Sequence, residues 1–447
     1  MKKTFLMILV AMLPLFIQAE DHVMAATKSS NQDNRQVPET LSVSLAQAQD
    51  FAVKQNRTLK NASLAVQEAY AQRWQTIAAM LPQLDAKGTY TDYFNYQATM
   101  SMAGRDMTIS NPNVLAFSLT AAVGINGQAV VGALLNNIAI DMKKISLEQS
   151  EVELRGNVMS SYVSVLALQS ISDLLDSTLL NIEHLAVMTQ SAVDAGAAEQ
   201  TAADQIIVRQ NALRNNINTQ LRNIELAMNS LKVLLDVPAE TELNLTDGID
   251  DLLSGEMVLS LLGEDFDIHN NLDYQMLEKN VQLAKRNVHM AGWAYGPTLS
   301  LAYNYTDQRY YGDGGFRMTP PNLVQVGVSM PLWSSGKRAA GVVEKKIALE
   351  QAKNTLSETG DNLNILYKQL RYNLTNAYET YMTERENIAV TKRVFNSATE
   401  KFRYGTNSNL ELTNASNDLI SAQSTYVQAM LTLINAQVEL QKFLNNK

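Results

Sequence analysis

A short segment that occurs twice constrains the fold of this chain more than any other feature. Residues 82–92 read Pro-Gln-Leu-Asp-Ala-Lys-Gly-Thr-Tyr-Thr-Asp, and residues 297–307 read Pro-Thr-Leu-Ser-Leu-Ala-Tyr-Asn-Tyr-Thr-Asp. Proline, leucine and the Tyr-Thr-Asp ending keep their positions at one constant offset. The chain is therefore a duplicated unit, and we expect two structural repeats, at residues 41–237 and 272–447.

Each copy of the segment predicts a β-strand that follows a helix. A helical pattern ends at the proline, which cannot continue a helix. Beyond it, apolar and polar residues alternate, which indicates a strand with one apolar and one polar face. A second alternating stretch follows in each repeat, so each repeat carries a strand pair joined by a loop. The four strands are expected at about 83–96, 114–125, 298–308 and 323–332, with exposed loops at 97–112 and 309–322.

Long helical patterns follow both strand pairs. Leucine and other apolar residues recur at multiples of seven positions, as in Leu147, Leu154, Leu168 and Leu175, and again in Leu349, Leu356, Leu363 and Leu370. Sustained spacing of this kind is typical of coiled coils. Gly196 and Gly405 interrupt the patterns and predict turns with a left-handed backbone. We expect helical hairpins at about 129–235 and 338–445, preceded in the first repeat by a continuous helix from Leu45 to Met80.

The amino-terminal residues indicate export from the cytoplasm. Lys2 and Lys3 precede an apolar run from Phe5 to Ile17, which predicts a secretory signal peptide over residues 1–26, cleaved after about residue 19 or 26. Residues 27–40 are polar and predict a flexible lead-in. No later stretch is long and uniformly apolar enough for a membrane helix, so we expect any membrane crossing to use strands.

The composition argues against most kinds of chemistry. The net charge is −9 and no basic block occurs, which argues against a nucleic-acid surface. No cysteine is present, so disulfides, thiolate catalysis and lipid attachment to a cysteine are excluded. Single histidines occur at 22, 184, 269 and 289, without metal-ligand spacing. We expect no catalytic residue, no cofactor and no metal site.

Residues 238–271 are rich in acidic residues and contain no lysine or arginine. We expect them to form an acidic connector between the repeats.

Strands with one apolar face cannot keep open edges in lipid, so they must close with further copies of the chain. Two copies would give eight strands with a filled interior, and three would give twelve with a wider lumen. The expected fold class is a mixed α and β membrane protein with four barrel strands per chain and long coiled-coil hairpins. This combination indicates an outer-membrane conduit with a large periplasmic extension.

The order of these elements resembles the TolC-like outer-membrane efflux protein family. The motifs that carry the resemblance are Leu81-Pro82-Gln83-Leu84, Pro331-Leu332-Trp333 with Gly336, Leu234-Leu235-Asp236-Val237-Pro238 after the returning helix, and Phe402-Arg403-Tyr404-Gly405-Thr406. The resemblance implies a homotrimer with a twelve-stranded barrel in the outer-membrane lipid and an α-helical barrel in the periplasm. It also implies docking to a periplasmic adaptor (membrane fusion) protein and an inner-membrane pump.

The resemblance also assigns functional residues. The hairpin turns, Asp194 to Gln200 and Phe402 to Ser408, correspond to the closed entrance and the adaptor contact of such proteins. The residues transferred to these turns are Gly196, Phe402, Gly405, Thr406 and Asn407, and those transferred to the pore constriction are Glu411 and Asn414.

This sequence departs from the family pattern at several of those positions. The tyrosine and arginine sometimes used as a latch correspond to Phe402 and Asn407, and a matching acid in the first repeat would fall at Ala202. These departures argue against a salt-bridged latch and a doubled acidic ring. We expect a single ring of Glu411 side chains that favours cations, unless Glu411 is an ordinary exposed helix residue.

The predicted function is the exit duct of a tripartite efflux pump that passively conducts small molecules from periplasm to exterior. An exit duct for type I polypeptide secretion would have the same architecture. A periplasmic coiled-coil scaffold is the alternative of another class, but it does not explain four alternating strands.

Overall fold

A computed structural model describes residues 40–94, 96–102, 105–110, 112–196, 198–253, 255–311, 320–406 and 408–444. The predicted signal peptide, nearly all of the lead-in and Asn407 lie outside these residues. The chain forms two compact units. The first comprises the described parts of Met1–Leu64, Ile145–Gln275 and Ser357–Lys447, and the second comprises Ala65–Lys144 and Met276–Leu356. Each unit draws on both sequence repeats, so the repeats are not separate compact bodies.

The helices and strands follow the duplicated order. The first half contains β1 (Thr40–Val43), α1 (Leu45–Gln55), α2 (Arg57–Ala78), β2 (Gln83–Thr91), β3 (Gln97–Met102), β4 (Arg105–Ser110), β5 (Asn113–Asn126), α3 (Gly127–Asp194) and α4 (Gln200–Leu235). The connector contains β6 (Glu242–Leu245), α5 (Ile249–Leu252), α6 (Gly255–Leu262) and a 3-10 turn at Ile268–Asn270. The second half contains α7 (Leu272–Gly292), a 3-10 turn at Trp293–Tyr295, β7 (Thr298–Tyr311), β8 (Asn322–Ser329), α8 (Lys337–Arg403) and α9 (Asn409–Phe443).

The second unit contains an antiparallel sheet of four strands in the order β2-β5-β7-β8. Its register places the apolar residues of all four strands on one face, as the alternation predicted. That face consists of Leu84, Ala86, Gly88 and Tyr90; Leu115, Phe117, Leu119, Ala121, Val123 and Ile125; Leu299, Leu301, Tyr303 and Tyr305; and Val324, Val326 and Val328. The other face is largely polar, and on it the Thr120 hydroxyl lies 2.8 Å from the Asn304 side-chain oxygen.

Two strands end earlier than predicted. The strand expected to reach residue 96 stops at Thr91, because Phe94 adopts a positive φ of 51° and the Asp92 carboxylate accepts its N–H at 2.8 Å. The strand expected to reach 332 stops at Ser329, shortly before Pro331, which has no N–H to donate to a neighbouring strand.

The segment predicted as an exposed loop at 97–112 instead contains β3 and β4, which pair as an antiparallel hairpin from Gln97↔Ser110 to Met102↔Arg105. Its glycine, serine and asparagine content suggested a loop, and the strand signal is short. In the other expected loop, 309–322, β7 continues to Tyr311 and residues 312–319 lie outside the described residues.

The helix predicted as continuous from Leu45 to Met80 is broken at Asn56. The Asn56 side-chain oxygen caps α2 by accepting the N–H groups of Thr58 (2.9 Å) and Leu59 (3.3 Å). Its amide nitrogen donates to the Leu234 carbonyl at 3.0 Å, near the end of α4. One side chain thus satisfies backbone groups at two helix ends, which offsets the cost of breaking the helix.

Asn271 lies at the repeat offset from Asn56 and makes the same contacts. Its side-chain oxygen accepts the N–H groups of Asp273 (3.1 Å) and Tyr274 (3.2 Å) at the start of α7. Its amide nitrogen donates to the Phe443 carbonyl at 3.2 Å, at the end of α9. The duplication therefore extends to individual buried hydrogen bonds.

The first unit is held by two clusters of buried apolar side chains. The larger cluster joins α1, α3, α4, α8 and α9 to the short parallel pair β1–β6 and to α6. In it, fully buried Tyr162 donates to the Val43 carbonyl at 3.0 Å, and burial raises the pKa of its phenol. The smaller cluster contains residues of α3, α4, α8 and α9 only, including Ile182, Ile206, Phe395 and Leu412.

Within the described residues, α3 is the one helix with a stretch whose length and mean hydropathy (1.3) would allow a membrane span. Of that stretch, 56% is buried inside the protein. A buried core helix has the same properties, so this finding is weak evidence for a spanning helix.

Candidate functional site

The turn between α8 and α9 is closed by a glycine in the left-handed conformation. Gly405 has a φ of 69°, as predicted. Its N–H donates to the Phe402 carbonyl at 2.9 Å, and the Thr406 N–H donates to the Lys401 carbonyl at 3.0 Å. These two bonds form the Schellman arrangement, in which a left-handed residue satisfies the last carbonyls of a helix. The Thr406 hydroxyl also donates to the Lys401 carbonyl, at 3.0 Å.

The turn between α3 and α4 is also closed by a glycine in the left-handed conformation. Gly196 has a φ of 71°, and its N–H donates to the Val193 carbonyl at 2.9 Å. Nothing lies within 4 Å of the place where a Cβ would stand on either turn glycine. The requirement for glycine at both positions therefore comes from backbone conformation and not from crowding.

The α9 helix begins with a capping contact that involves Glu411. The Ser408 hydroxyl accepts the Glu411 N–H at 3.2 Å, and the Glu411 carboxylate lies in the first turn, where a negative charge interacts favourably with the helix dipole. The corresponding cap of α4, Glu199, makes no side-chain capping bond. Part of the reason for an acid at position 411 is thus local to the helix.

The predicted constriction residues lie on the exposed face of α9. Glu411 and Asn414 are exposed, one turn apart, whereas Leu412 and Ala415 are buried at 2% and 6% exposure. Asp418, exposed one further turn along, continues the same stripe. Asp418 was not among the predicted residues, because the positions transferred from the family to this helix were only Glu411 and Asn414.

Glu411 also lines a surface groove together with two cationic side chains. The groove has a volume of about 430 Å³ and lies between α8, which contributes Arg393 and Lys401, and α9, which contributes Glu411. Positive charge of the same chain thus lines the same groove as Glu411.

The two hairpins pack against each other close to their turns. Leu185, Ile206, Phe395 and Leu412, one residue from each of the four helices, belong to one buried cluster. Phe402 packs against the same cluster, so it contributes apolar contact at the hairpin turn.

Arg209 links the hairpins directly. Its guanidinium, on α4, donates to the Thr413 carbonyl of α9 at 3.1 Å, and partial burial lowers its pKa. Arg209 was not predicted from the sequence. A signal was present, since Arg209 lies three residues after Ile206 and four before Leu213, both buried, and so falls on the packed face of its helix.

Among the residues that the structure describes, no group of three or more histidine, aspartate or glutamate side chains is arranged to hold a metal ion. The arrangement at the turns consists of backbone caps, an exposed acidic stripe and a cross-hairpin hydrogen bond. Chemically, such a site can attract or repel ions and hold two helical hairpins together.

Residues 268–446 match the model of a family described as outer membrane efflux protein. Most of the chain is also similar to solved structures. One is CusC, studied for its folding and transmembrane channel formation (TM-score 0.73, 17% identity, covering 92% of this chain and 95% of that one). Another is the outer membrane protein VceC from Vibrio cholerae (TM-score 0.71, 13% identity, 90% and 96%).

A third similar structure is the outer membrane channel CmeC of Campylobacter jejuni (TM-score 0.67, 16% identity, covering 90% of this chain and 87% of that one). At these identities the structural likeness shows a shared fold. A comparison with curated protein sequences finds no match.

Proposed function

Since the comparisons confirm the resemblance to the TolC-like outer-membrane efflux proteins, we propose that this protein is the outer-membrane channel of a tripartite efflux pump. In this role it conducts small molecules passively from the periplasm to the exterior. Its partners are a periplasmic adaptor protein and an inner-membrane pump, and its helical hairpins form the periplasmic part of the conduit. The family that the second half of the chain matches consists of channels and not of enzymes.

The observation that carries this proposal is the four-stranded sheet of the second unit. Its apolar face is exposed to the surroundings, for example at Phe117 (51%), Leu301 (46%) and Val326 (70%). A contiguous exposed apolar surface of this kind is unfavourable in water and favourable in lipid. A periplasmic scaffold would leave that face in water, so the sheet favours a membrane protein.

The size of the apolar face also suits a bilayer. On β5 it extends from Leu115 to Ile125, which at about 3.3 Å per residue is roughly 33 Å along the strand. A strand tilt of about 40° would reduce that length to roughly 25 Å, the height of the apolar band of outer-membrane barrels.

The edges of the sheet favour assembly from several copies. In the described chain, β2 and β8 each have one neighbour only, so each has one side of unpaired backbone groups. Such groups are costly in lipid, and closure into a barrel removes them. We therefore propose a homotrimer in which β8 of one copy pairs with β2 of the next, which gives twelve strands and an open lumen.

The hairpin turns are the proposed gate and adaptor contact. In a trimer, the stripe of Glu411, Asn414 and Asp418 would meet its copies around the symmetry axis. Glu411 would then form an acidic ring that favours cations, moderated by Lys401 and Arg393 in the neighbouring groove. The turn residues Gly196, Phe402, Gly405 and Thr406 hold the hairpin ends in shape, and Asn407 remains a proposed member of the same turn.

Barrel closure is tested by cross-linking, because the natural chain contains no cysteine and engineered pairs are unambiguous. Lys87→Cys on β2 is combined in turn with Gln325→Cys, Gly327→Cys or Ser329→Cys, which lie on the same sheet face of β8. Val326→Cys, on the opposite face, is the matched control.

Oxidation of at least one same-face pair should yield linked dimers and trimers, with the trimer as the largest species on a denaturing gel. The Val326→Cys control should remain monomeric, since its thiol points away from position 87. Monomers alone in every combination, or a ladder that continues beyond the trimer, would contradict closure by three copies.

A further inference from the structure

A small cavity lies inside the first unit, where the two helical hairpins pack against each other. Its volume is about 10 Å³. All four hairpin helices contribute to its wall, with Leu185 of α3, Ile206 and Arg209 of α4, Phe395 of α8, and Leu412 and Ser416 of α9. A cavity of this size has room for a single small particle, such as one water molecule or one monatomic ion.

The wall of the cavity contains a buried hydroxyl without a partner. Ser416 is 3% exposed, and its side-chain oxygen has no hydrogen-bond partner in the protein. Hydroxyls elsewhere in these helices donate to the carbonyl four residues earlier, as Ser164 does to Ser160 at 2.6 Å and Thr178 to Leu174 at 3.0 Å. A buried hydroxyl that makes no such bond is costly, so Ser416 requires a partner from outside the chain.

The wall also contains a partly buried cation. The Arg209 guanidinium donates from Nη1 to the Thr413 carbonyl at 3.1 Å. A guanidinium has five N–H donors in a rigid plane, so further donors are available. Thr413 and Ser416 lie one turn apart on the same face of α9, which places the Ser416 hydroxyl near the bound guanidinium. Partial burial lowers the pKa of Arg209, so its positive charge is incompletely hydrated.

No carboxylate is among the residues that line the cavity. Glu183 follows Ile182 of the wall in the chain, but its carboxylate accepts from Arg214 at 2.7 Å and from Gln210 at 3.3 Å. The acids of α9, Glu411 and Asp418, are on its exposed face. The cavity therefore combines apolar walls, one positive charge and one unpartnered hydroxyl, and a buried charge of this kind is stabilised by an ion of opposite sign.

We propose that this cavity binds a chloride ion, held by the Arg209 guanidinium and the Ser416 hydroxyl. Both groups donate a hydrogen bond to the ion, and bonds to a charged acceptor are stronger than neutral ones. A water molecule would satisfy Ser416 but would leave the charge of Arg209 uncompensated. The ion joins α4 to α9, one helix from each hairpin. The inference goes beyond the proposed function and does not require it, because every residue of the cavity belongs to the first unit.

Bromide is the probe that locates the ion. The full-length, detergent-extracted protein is crystallised with sodium bromide in place of sodium chloride, and the anomalous scattering of bromine is measured. We expect an anomalous peak in the cavity, within hydrogen-bond distance of Arg209 and Ser416. Ser416→Ala should abolish the peak. This variant loses no hydrogen bond within the protein, because the hydroxyl has no partner there.

Hydrogen exchange tests binding in solution. The amides of α9 from Leu412 to Leu419 are followed in sodium chloride and in sodium methanesulfonate of equal ionic strength, since the methanesulfonate anion is too large for the cavity. Chloride should slow exchange at least about threefold, because a ligand that binds only the packed state opposes its opening. Ser416→Ala and Arg209→Met should each remove the difference between the two salts.

Thr189→Val is the matched control. The Thr189 hydroxyl, on α3, is also buried without a hydrogen-bond partner, at 1% exposure, but Thr189 does not line the cavity. The variant removes an equally unpartnered hydroxyl of the same helical packing. Chloride should slow exchange in this variant as much as in the parent protein, and loss of the chloride effect would mean that it reflects the general stability of the hairpins.

Three further results would overturn the chloride site. The absence of a bromide peak from the cavity would show that the particle is not a halide. A peak combined with equal exchange in the two salts would show binding at crystal concentration only. A chloride effect that persists in both Ser416→Ala and Arg209→Met would place the responsible ion elsewhere in the protein.

Discussion

Asn56 and Asn271 show how one residue type can fix a helix junction in both repeats. Each is buried, at 8% and 4% exposure. In each, the side-chain oxygen accepts N–H groups at the start of one helix, and the side-chain nitrogen donates to a carbonyl at the end of another. Because the contacts are duplicated, the two sites provide an internal comparison. The same substitution should have the same effect at both.

Asn56→Ala and Asn271→Ala should each destabilise the junction by roughly 2 kcal/mol, since each removes a helix cap and leaves a carbonyl without its partner. Hydrogen exchange at the first turns of α2 and α7 measures the effect and should be faster in the respective variant. Asn215→Ala, at an exposed position inside α4, is the control and should change neither. Unchanged exchange in either junction variant would mean that the side-chain contacts contribute little.

Under the proposed function, we expect the ion selectivity of the gate to depend on Glu411. Glu411→Gln keeps the Ser408 capping bond, which uses the backbone N–H, and removes only the charge. The preference for cations over anions should then fall about two- to fivefold, because like charges around the axis no longer attract cations. Reversal potentials in asymmetric salt measure this ratio.

Glu225→Gln, on the exposed surface of α4, is the matched control for that measurement. This variant also removes one carboxylate per chain, but at a position away from the hairpin turns. It should leave the preference for cations over anions unchanged. A Glu411→Gln channel with the same ion preference as the parent would identify Glu411 as an ordinary first-turn helix residue.

At the scale of elements, the predictions from sequence succeeded where a pattern is local and repeated. The period-two alternation of Leu299, Leu301, Tyr303 and Tyr305 located a strand and its apolar face, and the turn glycines predicted a left-handed backbone that the structure shows. Both signals arise from a few neighbouring residues, so no knowledge of the rest of the chain is needed.

Other elements depend on contacts that are distant in sequence. The β1 strand (Thr40–Val43) pairs with β6 (Glu242–Leu245) across most of the first repeat, and neither is long enough to give a periodic signal. The break at Asn56 depends on the Leu234 carbonyl. Arg209 was missed for a similar reason, since its partner at Thr413 belongs to the other hairpin.

The hydrogen bond from Arg209 to the Thr413 carbonyl is expected to hold the two hairpins together. Arg209→Met keeps the apolar stem of the side chain and removes its hydrogen bond to Thr413. A bond from a charged donor contributes roughly 1.5–3 kcal/mol. On the hypothesis that the proposed channel opens by separating the two hairpins and breaking this bond, its open probability should rise at least about tenfold. Single-channel recordings measure this probability.

Arg214→Met supplies the control, because the 2.7 Å ion pair of Arg214 with Glu183 joins α4 to α3 within one hairpin. Its open probability should match that of the parent. If both variants have the open probability of the parent, the Arg209 contact does not restrain the gate. If the open probability rises equally in both, the effect is a general loosening of α4.

At the scale of the whole molecule, the boundaries of the two sequence repeats differ from those of the two compact units. Segments of both repeats make the sheet of the second unit, and segments of both make the helical packing of the first. Each compact unit therefore needs both repeats, although the repeats occupy separate stretches of the sequence. The same sheet leaves two edges, at β2 and β8, that further copies of the chain would pair.

The most direct test of the central claim is the conductance of the purified, detergent-extracted protein in a planar bilayer, with its oligomeric mass determined on the same sample. A membrane conduit predicts discrete, long-lived openings from a trimer. A species that is soluble without detergent and produces no openings would contradict it, because the apolar face of the sheet would then have to be covered in some way other than by lipid.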